Sequence, residues 1–286
     1  SSLYRGRVNI CGKTVKKRSE RKESTMNDTE KMLHFITKSP SVFHAVKNIA
    51  SILEQDGFIQ LAEEESWKLQ PEKNYFVIRN ESSVIAFKIP RSPYQNFQIV
   101  AAHDDSPAFK IKEYAVNTGT KPYAMVNCER YGGMILSTWL DRPLSVAGRV
   151  FIRKDHAIET MLVDTEEDIV LIPNQAIHME RSINEGYSYQ LQKDMRPLFG
   201  MGEAGEETFL ETVANKAGIK KEEIIQKELF LYHRMPGRIW GPKKEFVSSP
   251  RLDDLQCVYG ALEGFRRGKP KQSVAVLAIF DNEEVG

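Results

Sequence analysis

Apolar positions in the stretch SPSVFHAVKNIASILEQDGF (39–58) recur at Val42, Val46, Ile49 and Leu53, the three-to-four spacing of a single helix face. Ser39 can cap such a helix, Pro40 suits its first position and Gly57 closes it, so an amphipathic helix is predicted there. Two β-patterned runs follow, NYFVIRN and SVIAFKIP, around the polar turn Asn80 to Ser82. A third run, FQIVAAH, is mostly apolar and reads as a buried strand.

From about Lys110 the pattern breaks into the shorter β-like pieces LSVAGRVFIRK, AIETMLVDT and DIVLIP, with turns read at Gly132 and Gly133, at Gly148 and at Asp164 to Glu167. The glycines of LFGMGEAGEE read as turn chemistry, because no phosphate-cradling GxxxxGK[ST] occurs. A helix in ETFLETVANKAG ended by Gly218 and a strand in KELFLYH come next. Past the Gly/Pro-rich linker PGRIWGPKKEF the opening texture returns. SPRLDDLQCVYGALEGFRRG sets Leu252, Leu255, Val258, Leu262 and Phe265 on one helical face, and SVAVLAIF is a continuous buried strand. The predicted organisation is an α/β domain interrupted by a β-rich insertion of roughly 130 residues, a size compatible with a domain of its own.

Composition narrows the class. Apolar residues make up 41% and charged residues 28%, and the longest apolar run is the seven residues 274–280, eight if Ser273 is counted. A membrane-spanning helix needs about 20 such residues, so none is expected. The net charge of +1 hides an asymmetry, since residues 1–25 hold eight Lys or Arg against Glu20 and Glu23. The remainder is mildly acidic, without the basic, aromatic-laced surface that tracks nucleic acid. The basic segment KTVKKRSERK reads either as an address or as a disordered leader without a role, and residues 1–27 are taken as that leader. Cys11, Cys128 and Cys257 are odd in number and widely spaced, which suits a reducing cytoplasm without a disulfide framework.

Three clusters could carry chemistry. In AAHDDSP, His103 and Asp105 stand at the carboxyl end of a predicted strand, the edge at which α/β sheets bind ligands. In an extended segment these two side chains point to one side, so Asp105 can fix the ring while His103 binds a metal. A polar strand-to-loop passage with an incidental histidine is the alternative. In SPRLDDL, Asp253 and Asp254 begin a helix, where, taken alone, capping of the free N–H groups is the better account. In DNEE, Glu283 and Glu284 repel each other with no Lys or Arg after them. A divalent cation would relieve that, with one carboxylate as ligand and one as general base, whereas an exposed acidic turn is the plainer account. Taken together the clusters suggest a dispersed two-metal site that hydrolyses amides.

Six ordered segments, SPSVFHAV, AAHDDSPAFKIK, YGGMILSTWLDRPLSVAGRV, IPNQAIHMER, EFVSSPRLDDL and DNEEVG, resemble the M18 metallo-aminopeptidases of the aspartyl aminopeptidase-like type, from about Met32 to Gly286. The resemblance implies a mixed-sheet zinc-peptidase catalytic domain (28–109 and 244–286) interrupted by a β-rich dimerisation domain (110–243). It implies two zinc ions, with His103 and Glu284 as ligands, Asp253 as the bridging carboxylate, Asp105 as the partner orienting His103 and Glu283 as general base on water. It implies that His178 reaches a neighbouring subunit's substrate pocket, and that dimers build a homo-oligomeric dodecamer. Without the family, His178 is a surface histidine. Asp254 and His233 depart from the family's commoner Asn and Asp, and neither is expected to touch a ligand.

The expected activity is zinc-dependent release of single amino-terminal residues, Asp or Glu among them, from peptide substrates in the cytoplasm, with no nucleic acid and no membrane as partner. Family members run well over a hundred residues beyond DNEEVG and supply a further Asp and a late His ligand there. The catalytic domain is therefore expected to be incomplete and the 286-residue chain inactive by itself. The alternative is a non-catalytic fragment or self-assembly module. Another two-metal hydrolase, such as a deacylase, fits DRPLSVAGRV and IPNQAIHMER less well.

Overall fold

A computed structural model describes residues 26–286 apart from 92, 121, 155 and 156, and without the side chains of 118 and 120. The leader read at 1–27, except for its last two residues, and Cys11 lie outside the described residues; Cys128 and Cys257 are free thiols.

Asn27 begins a helix that the apolar spacing did not indicate. Its side chain accepts from Glu30 N at 2.9 Å and Glu30 Oε2 accepts from Asn27 N at 2.9 Å, a reciprocal cap on α1 (Asp28–Lys38). Only Leu33, Phe35 and Ile36 of α1 are buried, a stripe too short to stand out in sequence. The predicted helix follows as α2 (Val42–Gln55), burying Val42, Val46, Ile49 and Leu53. Its N-cap is Ser41. Ser39 closes α1 instead, because a residue before proline is pushed out of helical conformation and Pro40 separates the two helices.

Strands β1 (Ile59–Leu61), β2 (Asn74–Arg79), β3 (Ser83–Lys88) and β4 (Asn96–His103) join β14 (Ser273–Phe280) in a mixed sheet ordered β1-β2-β3-β14-β4. The helix α4 (Leu252–Arg267) buries Leu255, Val258, Leu262 and Phe265 against it together with α1 and α2, while Leu252 is half-buried. FQIVAAH is not buried as expected. It is β4, an edge strand paired only with β14, and Phe97 and Ile99 are 59% and 67% exposed. An apolar run marks a strand but cannot say whether another layer covers it.

Residues 108–233 form a second sheet from β5 (Ala108–Thr120), β6 (Tyr123–Tyr131), β7 (Pro143–Lys154), β8 (Ala157–Asp164), β9 (Val170–Leu171), β10 (Leu198–Met201) and β11 (Ile224–His233). The order β11-β5-β6-β10-β9-β7 closes through β7 and β11 into a six-stranded antiparallel barrel, with β8 paired outside on β7. The barrel is filled by Phe109, Val146, Leu229 and Leu231, and Phe209 of the predicted helix, α3 (Glu206–Ala217), joins that core. Gly148 lies within β7, not at a turn. Its φ is +155° and a Cβ there would come within 2.0 Å of Glu228 O, so the close approach of β11 requires glycine. The predicted linker is also structured: β12 (Arg238–Trp240) and β13 (Phe246–Ser248) pair as a hairpin with the Trp240 and Phe246 rings 4.8 Å apart.

Arg149 of β7 ties the two sheets together. Its guanidinium, almost fully buried, donates to Asn80 O at 2.7 Å and to Glu228 at 2.6 and 2.8 Å, and lies 4.1 Å from the Phe43 ring of α2.

Candidate metal centre

β4 and β14 run parallel and in register from Asn96 beside Ser273 to His103 beside Phe280. Both strands therefore end at one edge, and the loops that leave them carry Asp104 and Asp105 on one side and Asp281 to Glu284 on the other. The start of α4 brings Asp253 and Asp254 to the same place. Both have non-helical backbone angles, so the start of α4 is kinked at these two aspartates, and the residue before the helix, Arg251, makes no side-chain cap bond.

His103 is the hub. Its Nδ1 lies 3.2 Å from Asp105 Oδ1 and 3.1 Å from Asp105 O, while Nε2 faces Asp253 Oδ1 at 3.4 Å, Glu283 Oε2 at 3.7 Å and Asp254 Oδ2 at 3.8 Å. Potential ligand atoms of His103, Glu283 and Glu284 lie within 4.8 Å of one another, as do those of His103, Asp253 and Asp254. His103 is only 16% exposed at its side chain, whereas Asp253 and Glu283 are 80% and 63% exposed and open to an incoming molecule.

Asp254 does touch this cluster, contrary to expectation: besides facing Nε2, its Oδ2 accepts from His103 N at 3.4 Å. The helix start places adjacent aspartates on the same histidine, a closeness that residue identity did not reveal. His233 makes no such contact and lines a cavity described below. His178 is exposed on a turn and no hydrogen bond or ion pair among the described residues joins it to the cluster.

The electrostatics favour a cation. Burial lowers the pKa of His103, but Asp254, Asp105 and Glu283 outweigh it and carry the imidazole above its ordinary value. Burial pushes Glu284 and Asp281 up, and the buried Asp104, both of whose carboxylate oxygens lack partners, goes well above the carboxylate range through burial and then through Asp281 and Asp105. Among the described residues no Lys or Arg pairs with Asp253, Asp254, Glu283 or Glu284. One imidazole and several uncompensated carboxylates are a donor set that fits zinc, whose charge would remove the repulsion.

Several contributors had escaped the sequence reading. Asp105 is buried and accepts from Tyr131 OH at 2.8 Å and from Glu284 N at 3.1 Å, so β6 of the barrel and the Glu284 turn both lock the carboxylate that orients His103. Ser106 Oγ donates to Asp253 O at 2.8 Å. Gly132, read only as a turn, has φ +77°, and a Cβ there would meet Glu284 Oε2 at 2.6 Å. The adjacency of tyrosine and glycines in RYGG was the one available signal.

The sequence profile of the family described as Aminopeptidase I zinc metalloprotease (M18) matches residues 35–286. The chain belongs to the M18 family. It is 42% identical over 262 residues to a protein of Clostridium novyi named Probable M18 family aminopeptidase 2, covering 89% of this chain and 60% of that protein. It is 33% identical over 304 residues to the aspartyl aminopeptidase of Dictyostelium discoideum, covering 92% and 63%. Among solved structures, the complex of Ape4 and Nbr1 matches with a TM-score of 0.86 at 32% identity, over 91% of this M18 chain and 55% of that one. The mApe1 dodecamer of S. cerevesiae has the same fold, with a TM-score of 0.73 at 23% identity, over 90% and 60%. The chain thus spans about three fifths of the length of the curated relatives it matches.

Proposed function

We propose that this M18 chain serves a zinc-dependent aminopeptidase that releases single residues from the free amino end of peptides. The observation that carries the reading is His103, held at Nδ1 by Asp105 while three carboxylates stand within 4 Å of Nε2. His103, Asp253 and Glu284 are the residues that would hold the metal. Zinc, when bound, polarises the scissile carbonyl and eases deprotonation of the attacking water. Glu283, exposed at the rim, takes that proton and passes it to the leaving nitrogen. Asp105 fixes the ring and tautomer of His103, and Tyr131 in turn holds Asp105. The likeness to an aspartyl aminopeptidase supports Asp or Glu as first residue.

The test is Glu283→Gln: peptide cleavage falls by orders of magnitude while zinc content stays at the wild-type level, and unchanged turnover removes Glu283 from the base role. A second reading is a non-catalytic, self-associating module built on residues 110–243, with the exposed His178 able to reach a neighbouring subunit. Robust hydrolysis of Asp- or Leu-anilide by the 286-residue chain with zinc would refute that reading.

A further inference from the structure

Beside the histidine cluster opens a cavity of about 660 Å³, walled by α2, the barrel and the chain that leads into α4. Asp105 and Asp253 are among its lining residues, so it is continuous with the candidate metal centre. Much of its wall is apolar, with Val42, Met134, Ile135, Trp139, Phe230 and Leu231. Its charged lining apart from Asp105 and Asp253 is entirely basic: Arg142, Arg238 and Arg251, with His233 between them in character.

These cations are poorly neutralised. Arg251 gives Nη1 to His233 O at 3.4 Å and Nη2 to Ile36 O at 3.1 Å, both carbonyls, while its Nε is buried without a partner. His233 Nε2 is likewise buried and unpartnered, and its ring lies 6.0 Å from that of Trp139. Burial, Arg142 and Arg251 lower the pKa of His233, as expected where positive charge gathers around an imidazole. Arg142 and Arg238 are exposed and have no hydrogen bond or ion pair among the described residues. Arg251 and His233 also line a second, more polar cavity of about 610 Å³, but Arg142 and Arg238 line only the first.

We propose that the first cavity is a subsite for the leaving part of the peptide, taking an apolar residue and pairing a carboxylate of that part with Arg142, Arg238 and Arg251. Placement on the leaving side rests on the hydrolytic reading above, whereas binding of the carboxylate does not. The three arginines disfavour a free amine at their end of the cavity, whereas Asp105 and Asp253 stand at the end toward the metal centre. The volume lies in the range of sites for whole small ligands and exceeds what one acidic side chain fills. The shared chemistry is a carboxylate on an apolar stem, supplied by the carboxyl terminus of a short peptide or by an acidic side chain.

The experiment is calorimetric titration of zinc-free protein, so that its outcome is independent of catalysis. The probes are N-acetylleucine, N-acetylleucinamide and N-acetylisoglutamine, the last with a side-chain carboxylate and an amidated terminus. At least one carboxylate probe binds about tenfold tighter than the amide, as a charge-assisted pair implies. Preference for N-acetylleucine identifies the terminal carboxylate, and preference for N-acetylisoglutamine the side chain. Arg142→Met and Arg238→Met each reduce the preference, and they carry the test because Arg251 holds two backbone carbonyls and its loss threatens folding. Equal binding of all three probes, or a preference that survives in both variants, overturns the proposal. Failure of Glu283→Gln to lower cleavage would leave this binding result standing, so the two readings fail separately.

Discussion

Gly132→Ala isolates the contribution of one backbone conformation to the metal centre. The φ of +77° places residue 132 in the left-handed region, where a Cβ costs about 1–2 kcal/mol. Restricting the unfolded chain returns about 0.4–1 kcal/mol, leaving a net strain near 1 kcal/mol. The added methyl would also lie 2.6 Å from Glu284 Oε2 and 2.9 Å from Glu284 Cβ. Rotating the carboxylate away cannot relieve the second contact, so the residue itself must shift. Glu284 sits in a single three-residue turn, Glu283–Val285, which yields before the paired strands do. Stability measured by urea unfolding in a chelator is therefore expected to fall by only about 1 kcal/mol, while zinc affinity drops by roughly 10–100-fold, the scale seen when the support of a ligand is lost. Competition against a chromophoric chelator reads the affinity. Gly133→Ala is the control, because nothing lies within 4 Å of a Cβ there and its φ is not positive. Unchanged zinc affinity in Gly132→Ala, or an equal loss in Gly133→Ala, would refute the reasoning.

Two further outcomes follow from groups away from the cluster. Arg149→Met removes the tie between the sheets and is expected to lower unfolding free energy by about 3 kcal/mol, the low end for a broken buried pair, because Lys110 remains 3.3 Å from Glu228; a urea midpoint equal to wild type would contradict it. His44 accepts or donates at Nδ1 with Ser41 Oγ at 2.8 Å, and burial, then Lys47 and Arg251, pull its pKa from 6.5 to about 4. Below pH 6.5 the unfolded chain takes up a proton that the folded one refuses until about pH 4, so stability is lost across that window, by roughly 3 kcal/mol. His44→Gln should flatten the curve of unfolding free energy between pH 7 and pH 4, and a curve as steep as wild type would exclude His44 as its cause.

The apolar spacing at Val42, Val46, Ile49 and Leu53 and at Leu255, Val258, Leu262 and Phe265 determined two helices and their buried faces, because helical period is a local property. The alternation and turn residues determined β2 and β3, and the uncompensated acids of DNEE with the histidine of AAHDD marked residues that the fold gathers. Tertiary structure alone decided the rest. Exposure of β4, contact between Asp254 and His103, and the locking of Asp105 by Tyr131 all depend on groups distant in sequence, which no local pattern encodes. The parallel register of β4 and β14 is what converts two separate acidic loops into one site: with His103 set beside Phe280, the residues that follow each strand start side by side at one edge. Gly132 and Gly148 carry the same lesson, since one looked like a turn and the other was taken for one, and both are fixed by how closely another chain segment approaches.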